Sequence, residues 1–279
     1  MEAVIPLLTL LAILLAPPAH PYRHLDETSG PTVALSGRFK PPLGFARVPV
    51  DVGGFAHFLR DLPLSPDRTD VLAFDGERLS RPAAAIVALD VGDRDLQQCA
   101  DSAIRLHAEW LFATGRGQQA AYHFTSGDRT TFADFVSGET FIAVGRGVQR
   151  RQGIARRADH PSFRRWLNLV FGYAGSRSLR LDTTAVPTDA DLRAGDLFVQ
   201  GGSPGHVVVL LDIARNPDGR RVALIGQGFM PAEDFHVLRG TTDAAIDGVW
   251  FNLPGPGGSL QTPSWRPFER GDARRFRQH

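Results

Sequence analysis

Apolar residues recur at helical spacing in several stretches of the chain, and polar residues fill the positions between them, as on the solvent face of a helix. Asp95 and Pro161 stand where a capping residue and a first-turn proline are expected. The pattern predicts helices over 52–62, 95–115 and 131–136, and a further helix that begins at 161.

Shorter apolar runs bounded by turn residues indicate β-strands. Two of them, 207–213 and 222–227, are joined by 214–219, whose Asn-Pro and Asp-Gly pairs are typical of turns. The other strands are predicted at 71–74, 83–89, 120–124 and 197–200. Because helices and mainly antiparallel strands occur in segregated runs, we expect an α+β fold.

Composition favours one globular domain. The chain has 279 residues, 43% of them hydrophobic and 22% charged, with a formal net charge of +1. A chain of this length can bury roughly 70 to 75% of its unfolded surface, so we expect a single domain over 45–279. The near-neutral balance provides no extended field for a nucleic-acid backbone, so we expect no nucleic-acid partner and favour small or peptide-like ligands.

The N-terminal segment predicts export. Residues 1–19 are expected to be a signal peptide, because their apolar run, 4–16, is shorter than the about 20 residues of a membrane span. Residues 20–44 are rich in proline, glycine, serine and threonine, which indicates a linker or a peripheral arm. The expected location is periplasmic or secreted, with no stable membrane span after signal cleavage.

Cys99, the only cysteine, falls near the start of the helix that Asp95 is predicted to cap. Unpaired backbone N–H groups and the helix dipole favour a thiolate there, as a nucleophile requires. The N–H of Cys99 and the side chain of Gln98 are candidate oxyanion donors. The alternative is a buried structural cysteine, because Leu96 and other apolar residues share its helix face.

His206 is the candidate base, because it opens an apolar strand directly after a glycine-rich turn at 201–205. A polar ring at that position lies at the rim of a sheet, where a substrate can reach it. Residues next to the predicted nucleophile and base are expected to bind the substrate. They are Gln97, Ser203 and Gly205.

Strand register gives the candidate third member of the site. If the turn pairs Ile213 with Arg220, antiparallel pairing brings His206 opposite Gln227, whose amide can then orient the imidazole. Asp212 is the alternative partner, but six residues along a strand place it about 20 Å from His206. The cysteine, the histidine and the glutamine form a candidate nucleophile, base and orienting residue.

Other kinds of site are weaker. A zinc site using His206, His236 and Asp234 lacks metal-ligand spacing, and the acidic cluster at 90–95 lacks that of a calcium-binding loop. Glu233 and Asp234, as a glycan-processing pair, would point to opposite faces of a strand. We expect neither a metal nor a cofactor. A basic, solvated loop is predicted to hold Arg150, Arg151, Arg156 and Arg157.

Three segments of the chain resemble the bacterial family catalogued as domain of unknown function 4846. They are 90–101, 201–214 and Gln227-Gly228-Phe229-Met230-Pro231-Ala232-Glu233-Asp234. The resemblance covers most of the chain from Phe45 onward and implies an envelope-associated bacterial protein.

The order of Cys99, Gly195-Asp196 and Gly205-His206 is also similar, more distantly, to that of papain-like amidases of the NlpC/P60 type. That resemblance implies a papain-like core, in which the cysteine-bearing helix packs on a mainly antiparallel sheet, with additional N-terminal and inserted elements. It also implies a cysteine amidase or peptidase that acts on peptide or acyl groups of the cell envelope. The alternative is a non-catalytic, envelope-associated binding or scaffold protein with the same core.

Alkylation of Cys99 by iodoacetamide, measured against pH on the folded protein, separates the catalytic from the structural interpretation. An activated thiol is expected to show an apparent pKa well below the free-thiol value of about 8.5, and His206→Ala is expected to move that pKa. A thiol that reacts only on unfolding would identify a core residue instead.

Overall fold

A computed structural model describes residues 31–145, 147–188, 190–263 and 265–277. The predicted signal peptide, 1–19, and the first part of the predicted linker, 20–30, lie outside these residues. The later part of that linker carries regular structure: Leu35 is fully buried in the core, and its N–H bonds to the carbonyl of Leu62 at 2.9 Å. Packed structure therefore begins ahead of the boundary predicted near Phe45.

The described residues form six α-helices, and side chains cap two of them as helix starts require. The hydroxyl of Thr131 accepts the N–H of Asp134, and the carboxylate of Asp159 accepts that of Ser162, both at 3.0 Å. The helices are α1 (Leu35–Arg38), α2 (Phe55–Arg60), α3 (Cys99–Ala113), α4 (Phe132–Val136), α5 (His160–Tyr173) and α6 (Leu179–Asp182), with 3₁₀ turns at Gly117–Gln119 and Arg270–Asp272.

Helix α3 starts later than the sequence predicts. Gln98 is its N-cap, and the carboxylate of Asp101 accepts the Gln98 N–H at 3.2 Å. Asp95, the predicted cap, instead accepts the N–H of Ala232 at 2.7 Å, so a long-range contact takes the carboxylate that the local pattern assigned to the helix. Cys99 is consequently the first residue of α3.

The two longest strands lie at the centre, and the pairings among the described strands are antiparallel. In chain order they are β1 (Val33–Ala34), β2 (Ala46–Arg47), β3 (Pro63–Leu64), β4 (Val71–Leu72), β5 (Arg78–Leu79), β6 (Ala83–Ile86), β7 (Ala121–His123), β8 (Arg129–Thr131), β9 (Glu139–Val144), β10 (Gly147–Gln152), β11 (Thr183–Ala185), β12 (Leu197–Gln200), β13 (His206–Arg215), β14 (Arg221–Gln227), β15 (His236–Leu238), β16 (Ala245–Ile246), β17 (Trp250–Asn252), β18 (Ser259–Leu260), β19 (Phe268–Glu269) and β20 (Ala273–Phe276).

The main sheet is organised around the β13–β14 hairpin. Its strand order is β11-β20-β12-β13-β14-β15-β6, with β2 added to β13, β17 to β14 and β16 to β17. Each central strand is long enough to pair with two different neighbours on its outer edge. His206 therefore lies where β12 borders β13, while the far end of β13 pairs with β2.

Alternate side chains of β13 enter two different apolar clusters. Val207 and Val209 pack in the cluster that contains α3 and α5, whereas Val208 and Leu210 pack in a second cluster on the opposite face. Successive residues of a strand point to opposite faces, so each face of the central sheet is buried. Phe268 and other residues of the C-terminal region cover the second face.

The register of the central hairpin differs from the predicted one. Val209 pairs with Gly226, but an irregularity between Leu210 and Asp212 shifts the later pairs, so that Ile213 faces Ala223 rather than Arg220. One extra residue on a bulged strand produces such a shift. Continued past Val209, the pairing brings Gln227 opposite Val208 and not opposite His206.

A β-hairpin replaces part of the predicted basic loop. Strands β9 and β10 pair over their full length, and β10 contains Arg150 and Arg151. Arg150 bonds to Glu139 across the hairpin at 2.6 Å, an ion pair that cross-strand pairing makes available. Arg156 and Arg157 do lie in the loop that precedes α5.

The fold is thus α+β, with a mainly antiparallel sheet and few helices, as the sequence predicts at this level. Within the described ranges, no helix combines the length and the apolar character needed to cross a bilayer.

The same substitution at two glycines tests the packing of the central hairpin. A Cβ at Gly226 would stand 2.7 Å from the Phe235 ring and 2.8 Å from Leu211, whereas a Cβ at Gly172, exposed on α5, meets nothing within 4 Å. Gly226→Ala is expected to lower the free energy of unfolding by about 1–3 kcal/mol. Gly172→Ala is expected to raise it by about 0.5–1 kcal/mol. Urea denaturation measures both, and equal effects would contradict the packing described.

Candidate functional site

The cysteine segment and the histidine segment meet in the structure. The backbone N–H groups of Val207, Ala100 and Cys99 itself lie near enough to the Cys99 sulfur to lower the pKa of the thiol. Two of these groups belong to the start of α3, and the third belongs to the residue that follows His206. The sulfur therefore lies against the beginning of β13, although the two segments are far apart in the chain.

The thiol is buried, and its acidity is opposite to the sequence-based expectation. Cys99 is 8% exposed, and burial raises its pKa from 9.0 to about 12, with a further rise from the charge of Asp101. The three N–H groups lower the pKa but do not offset burial. Burial thus opposes the expected stabilisation of the thiolate, because the helix start is covered rather than open to solvent.

His206 and Gln227 interact directly despite the shifted register. His206 Nε2 lies 2.8 Å from Gln227 Oε1, and both side chains are 1% exposed. Diagonal neighbours on one face of an antiparallel pair are within reach of long side chains, which accounts for the contact. Because the amide oxygen accepts, Nε2 carries the hydrogen and Nδ1 keeps its lone pair. Burial lowers the pKa of His206 to about 4, so the ring is neutral at pH 7.

The imidazole lies on the second face of the sheet, among aromatic rings. Its centroid is 4.7 Å from that of Phe229, 5.0 Å from Trp265 and 6.0 Å from Phe268. Val207 directs its side chain to the other face, where α3 packs. The thiol therefore contacts the backbone next to His206, and within the described residues no hydrogen bond joins the sulfur to the imidazole.

Behind Gln227 lies a buried polar group, in which His236 and Glu233 were considered above only for zinc binding and for glycan processing. His236 pairs with Gln227 across β14 and β15, and its Nδ1 donates to the carbonyl of Asp234 at 3.0 Å, which leaves Nε2 as an acceptor. Glu233 Oε2 accepts a hydrogen bond from Arg81 Nε at 2.7 Å. Gln227 Nε2, His236 Nε2 and Glu233 Oε1 are buried without a hydrogen-bond partner among the described residues.

Two arginines cover the aromatic rings around His206. The Arg81 guanidinium lies 4.8 Å from the Phe229 ring centre, and that of Arg266 lies 5.3 Å from the Trp265 ring centre. Phe229 and Trp265 are half-buried, so they form the rim of the site. No spacing rule links these residues in the sequence, because they come from separate loops that only the fold brings together.

The predicted oxyanion and substrate-binding side chains have different surroundings. Gln98 is half-buried and donates to Asp95 at 2.9 Å. Gln97 is fully buried. Its side chain accepts a hydrogen bond from Arg105 at 3.1 Å and donates one to the Asp90 carbonyl at 3.2 Å. The side chain is therefore directed into the core and away from any substrate. On the turn before β13, Ser203 is exposed and Gly205 half-buried.

An ion-pair network supports α3 from inside, and the sequence pattern gave no signal for it. Arg105 is fully buried and bonds to Glu109 at 2.7 Å and to Asp90 at 2.9 Å, and Glu109 also contacts His160 at 3.0 Å. A buried guanidinium requires such partners, because an unpaired buried charge is strongly destabilising. Asp90, considered for calcium, is used by this network and by Arg164.

Arginines also form ion pairs with Asp234, which was considered for zinc binding, and with Asp212, which was considered for orienting His206. Asp234, considered for zinc, bonds to Arg68 at 2.5 Å. Asp212, the rival partner of His206, is fully buried and bonds to Arg47 at 2.6 Å and to Arg60 at 2.7 Å near the other end of β13. Among the described residues, no cluster of three or more histidine, cysteine or acidic side chains could hold a metal ion.

A cavity of about 420 Å³ lies elsewhere on the protein. Its lining includes Phe55, Trp110 and Ile213 but not Cys99 or His206. Ile213 is near the far end of β13, so the cavity is about 20 Å from His206. The concave surface and the candidate chemistry are thus in different places.

Comparison with known proteins gives one match. A family model described as Domain of unknown function (4846) matches residues 35–275. No curated protein and no solved structure matches the chain.

Two buried groups, His236 and Glu233, make the free energy of unfolding depend on pH in opposite directions. Burial lowers the pKa of His236 from 6.5 to about 4, so between these values only the unfolded chain binds the proton, and stability falls as pH falls. Burial raises the pKa of Glu233 from 4.5 to about 7, so the folded protein binds the extra proton there, and stability falls as pH rises.

Removing either group is therefore expected to change the slope of unfolding free energy against pH between about 5 and 6. His236→Gln is expected to lower that slope by about 1.4 kcal/mol per pH unit, and Glu233→Gln to raise it by a similar amount. Denaturant titrations at several pH values measure the slopes. His57→Gln, at a histidine whose side chain is 38% exposed, is the control, and slopes that agree across all variants would refute the assignment.

Proposed function

The chain belongs to the family described as Domain of unknown function (4846), and we propose that it is a papain-like cysteine hydrolase of the amidase or peptidase type. Its substrate is a peptide-like or acylated component of the cell envelope, and its location is periplasmic or secreted. Cys99 is the nucleophile, His206 is the base, and Gln227 orients the base.

The observation that carries the proposal is the contact of the Cys99 sulfur with the N–H of Val207, the residue next to His206. A nucleophile on the first turn of a helix, packed against an antiparallel strand that begins with a histidine, supports the papain-like core that we propose. The hydrogen bond that His206 Nε2 donates to Gln227 Oε1 supports the same assignment, because it leaves Nδ1 free to accept a proton.

The reaction proceeds in two halves. The imidazole lies on the face of the sheet opposite the sulfur, so substrate binding must turn it toward the sulfur before it can act as a base. The sulfur then bonds to the substrate carbonyl carbon while the thiol proton passes to His206 Nδ1, and the carbonyl oxygen becomes an oxyanion. The bond to the leaving group then breaks, and His206 returns the proton to the departing amine or alcohol. Water attacks the thioester with His206 as base, releases a carboxylic acid and restores the thiol.

The start of α3 supplies the donors for the oxyanion. The N–H groups of Cys99 and Ala100 already face the sulfur, so a carbonyl bound there would receive at least one of them. Gln98 is the proposed side-chain donor, since an amide nitrogen has a second hydrogen beyond the one given to Asp95. Gln97 is not part of this arrangement, because it is held inside the core.

Both reacting groups are neutral before the substrate binds. With a pKa of about 12 the thiol keeps its proton at pH 7, and with a pKa of about 4 the imidazole is unprotonated. A neutral imidazole is the form that a base requires. Deprotonation of the thiol then accompanies formation of the sulfur–carbon bond, instead of preceding it as in a preformed ion pair.

The burial of Cys99 favours a second function from a different class. A thiol that is 8% exposed and of raised pKa is also what a non-catalytic binding or scaffold protein would keep as a core residue. That protein would use the cavity lined by Phe55 and Trp110 and would form no covalent intermediate at Cys99.

Detection of an acyl-enzyme separates the two functions. The protein is incubated with activated esters and with peptide amides, and the mass of the protein and the release of the leaving group are followed. We expect an acyl adduct on Cys99 and no turnover by Cys99→Ala. His206→Ala is expected to lower kcat/KM by about 10²–10⁴-fold, the usual contribution of a general base.

His57→Ala is the matched control, because it removes a histidine from α2, outside the site, and is expected to leave turnover unchanged. Turnover by Cys99→Ala would refute the assignment of the nucleophile. Absence of both adduct and turnover, with a thiol that reacts only on unfolding, would establish the binding function instead.

A further inference from the structure

The cavity at the far end of β13 has an aromatic floor built from three elements. Phe55 comes from α2, His107 and Trp110 from α3, and Phe276 from β20. The Phe55 ring is 5.4 Å from Trp110, and His107 stacks on Phe276 at 4.0 Å. Gly195 closes one wall, since a Cβ there would stand 2.8 Å from the Phe55 ring.

Three arginines in the lining are held by carboxylates and have their charge compensated. Arg275 bonds to the buried Asp196 at 2.6 and 2.8 Å, and Arg221 bonds to Asp191 at 2.6 Å. The third, Arg60, bonds to Asp212. These ion pairs form part of the cavity wall, but because their charges are neutralised they attract a charged ligand only weakly.

Two further arginines in the lining are not held in an ion pair, although Asp182 lies near enough to Arg277 to interact with its charge. Arg193 and Arg277 are exposed, and neither forms a salt bridge with a carboxylate in the part of the chain that the structure describes. The lining also contains the exposed carboxylate of Asp51, which forms no ion pair with an arginine among the described residues. The groups left to interact with a ligand are thus two guanidiniums and one carboxylate above an apolar floor.

We propose that this cavity binds a small carboxylate with an apolar, aromatic-sized body. The rings of Phe55 and Trp110, both half-buried, contact the body, while Arg193 and Arg277 bind the carboxylate. A volume of about 420 Å³ falls within the range of sites for small organic ligands. This site is independent of the chemistry proposed at Cys99.

Three ligands of one shape test the proposal: 4-phenylbutyrate, its neutral amide and the corresponding amine. Isothermal titration calorimetry on the whole protein is expected to give an affinity for the acid at least about tenfold higher than for the amide or the amine. The indole N–H signal of Trp110, assigned with Trp110→Phe, is expected to shift on addition of the acid, because that group lies at the cavity and donates to Gly53.

Paired variants locate the charge that is recognised. Arg193→Gln with Arg277→Gln is expected to weaken binding of the acid by about tenfold and to leave binding of the amide unchanged. The control, Arg151→Gln with Arg157→Gln, removes two exposed charges elsewhere and is expected to leave both affinities unchanged. No saturable binding of the acid, equal binding of acid and amide, or an equal loss in the control would overturn the proposal.

Discussion

The β13–β14 hairpin is the constraint on which the rest of the structure depends, because both of its faces are buried. Val207 and Val209 belong to the cluster that holds α3, and Val208 and Leu210 to the cluster under the C-terminal strands. A slip of one residue would exchange the two sets and bring every side chain to the wrong face. The same alternation puts the backbone of β13 against the cysteine and the imidazole of His206 on the opposite face.

Burial, more than local electrostatics, sets the properties of the candidate site. A helix start favours an anion by about 0.3–1 kcal/mol. The change in the Cys99 pKa from 9.0 to about 12 corresponds to about 4 kcal/mol in the other direction, so burial outweighs the helix start. The same effect keeps His206 and His236 neutral. A reactive thiol in this protein therefore has to be activated by substrate, whereas a structural thiol needs nothing further.

Buried charges hold the surrounding elements in place. Arg105 of α3 forms an ion pair with Asp90, and Asp212 of β13 forms ion pairs with Arg47 and Arg60. Arg105 and Asp212 are fully buried, so each requires an oppositely charged partner, and loss of that partner would leave an uncompensated buried charge. Because Asp90 and Asp212 are already paired with arginines, neither carboxylate is suited to bind a metal ion or to orient His206.

Local pattern in the sequence was enough to locate the long helices, the central strands, their antiparallel connection and the α+β class, because periodicity and turn residues act over a few positions. It also singled out Cys99, His206 and Gln227, of which the structure joins the last two and places the first beside the same strand. The cap of α3, the shift in register and the burial of the thiol depended on residues far apart in the chain. Such contacts compete for polar groups and cover surfaces in ways that local spacing does not encode, so tertiary structure alone decided them, as it did the cavity.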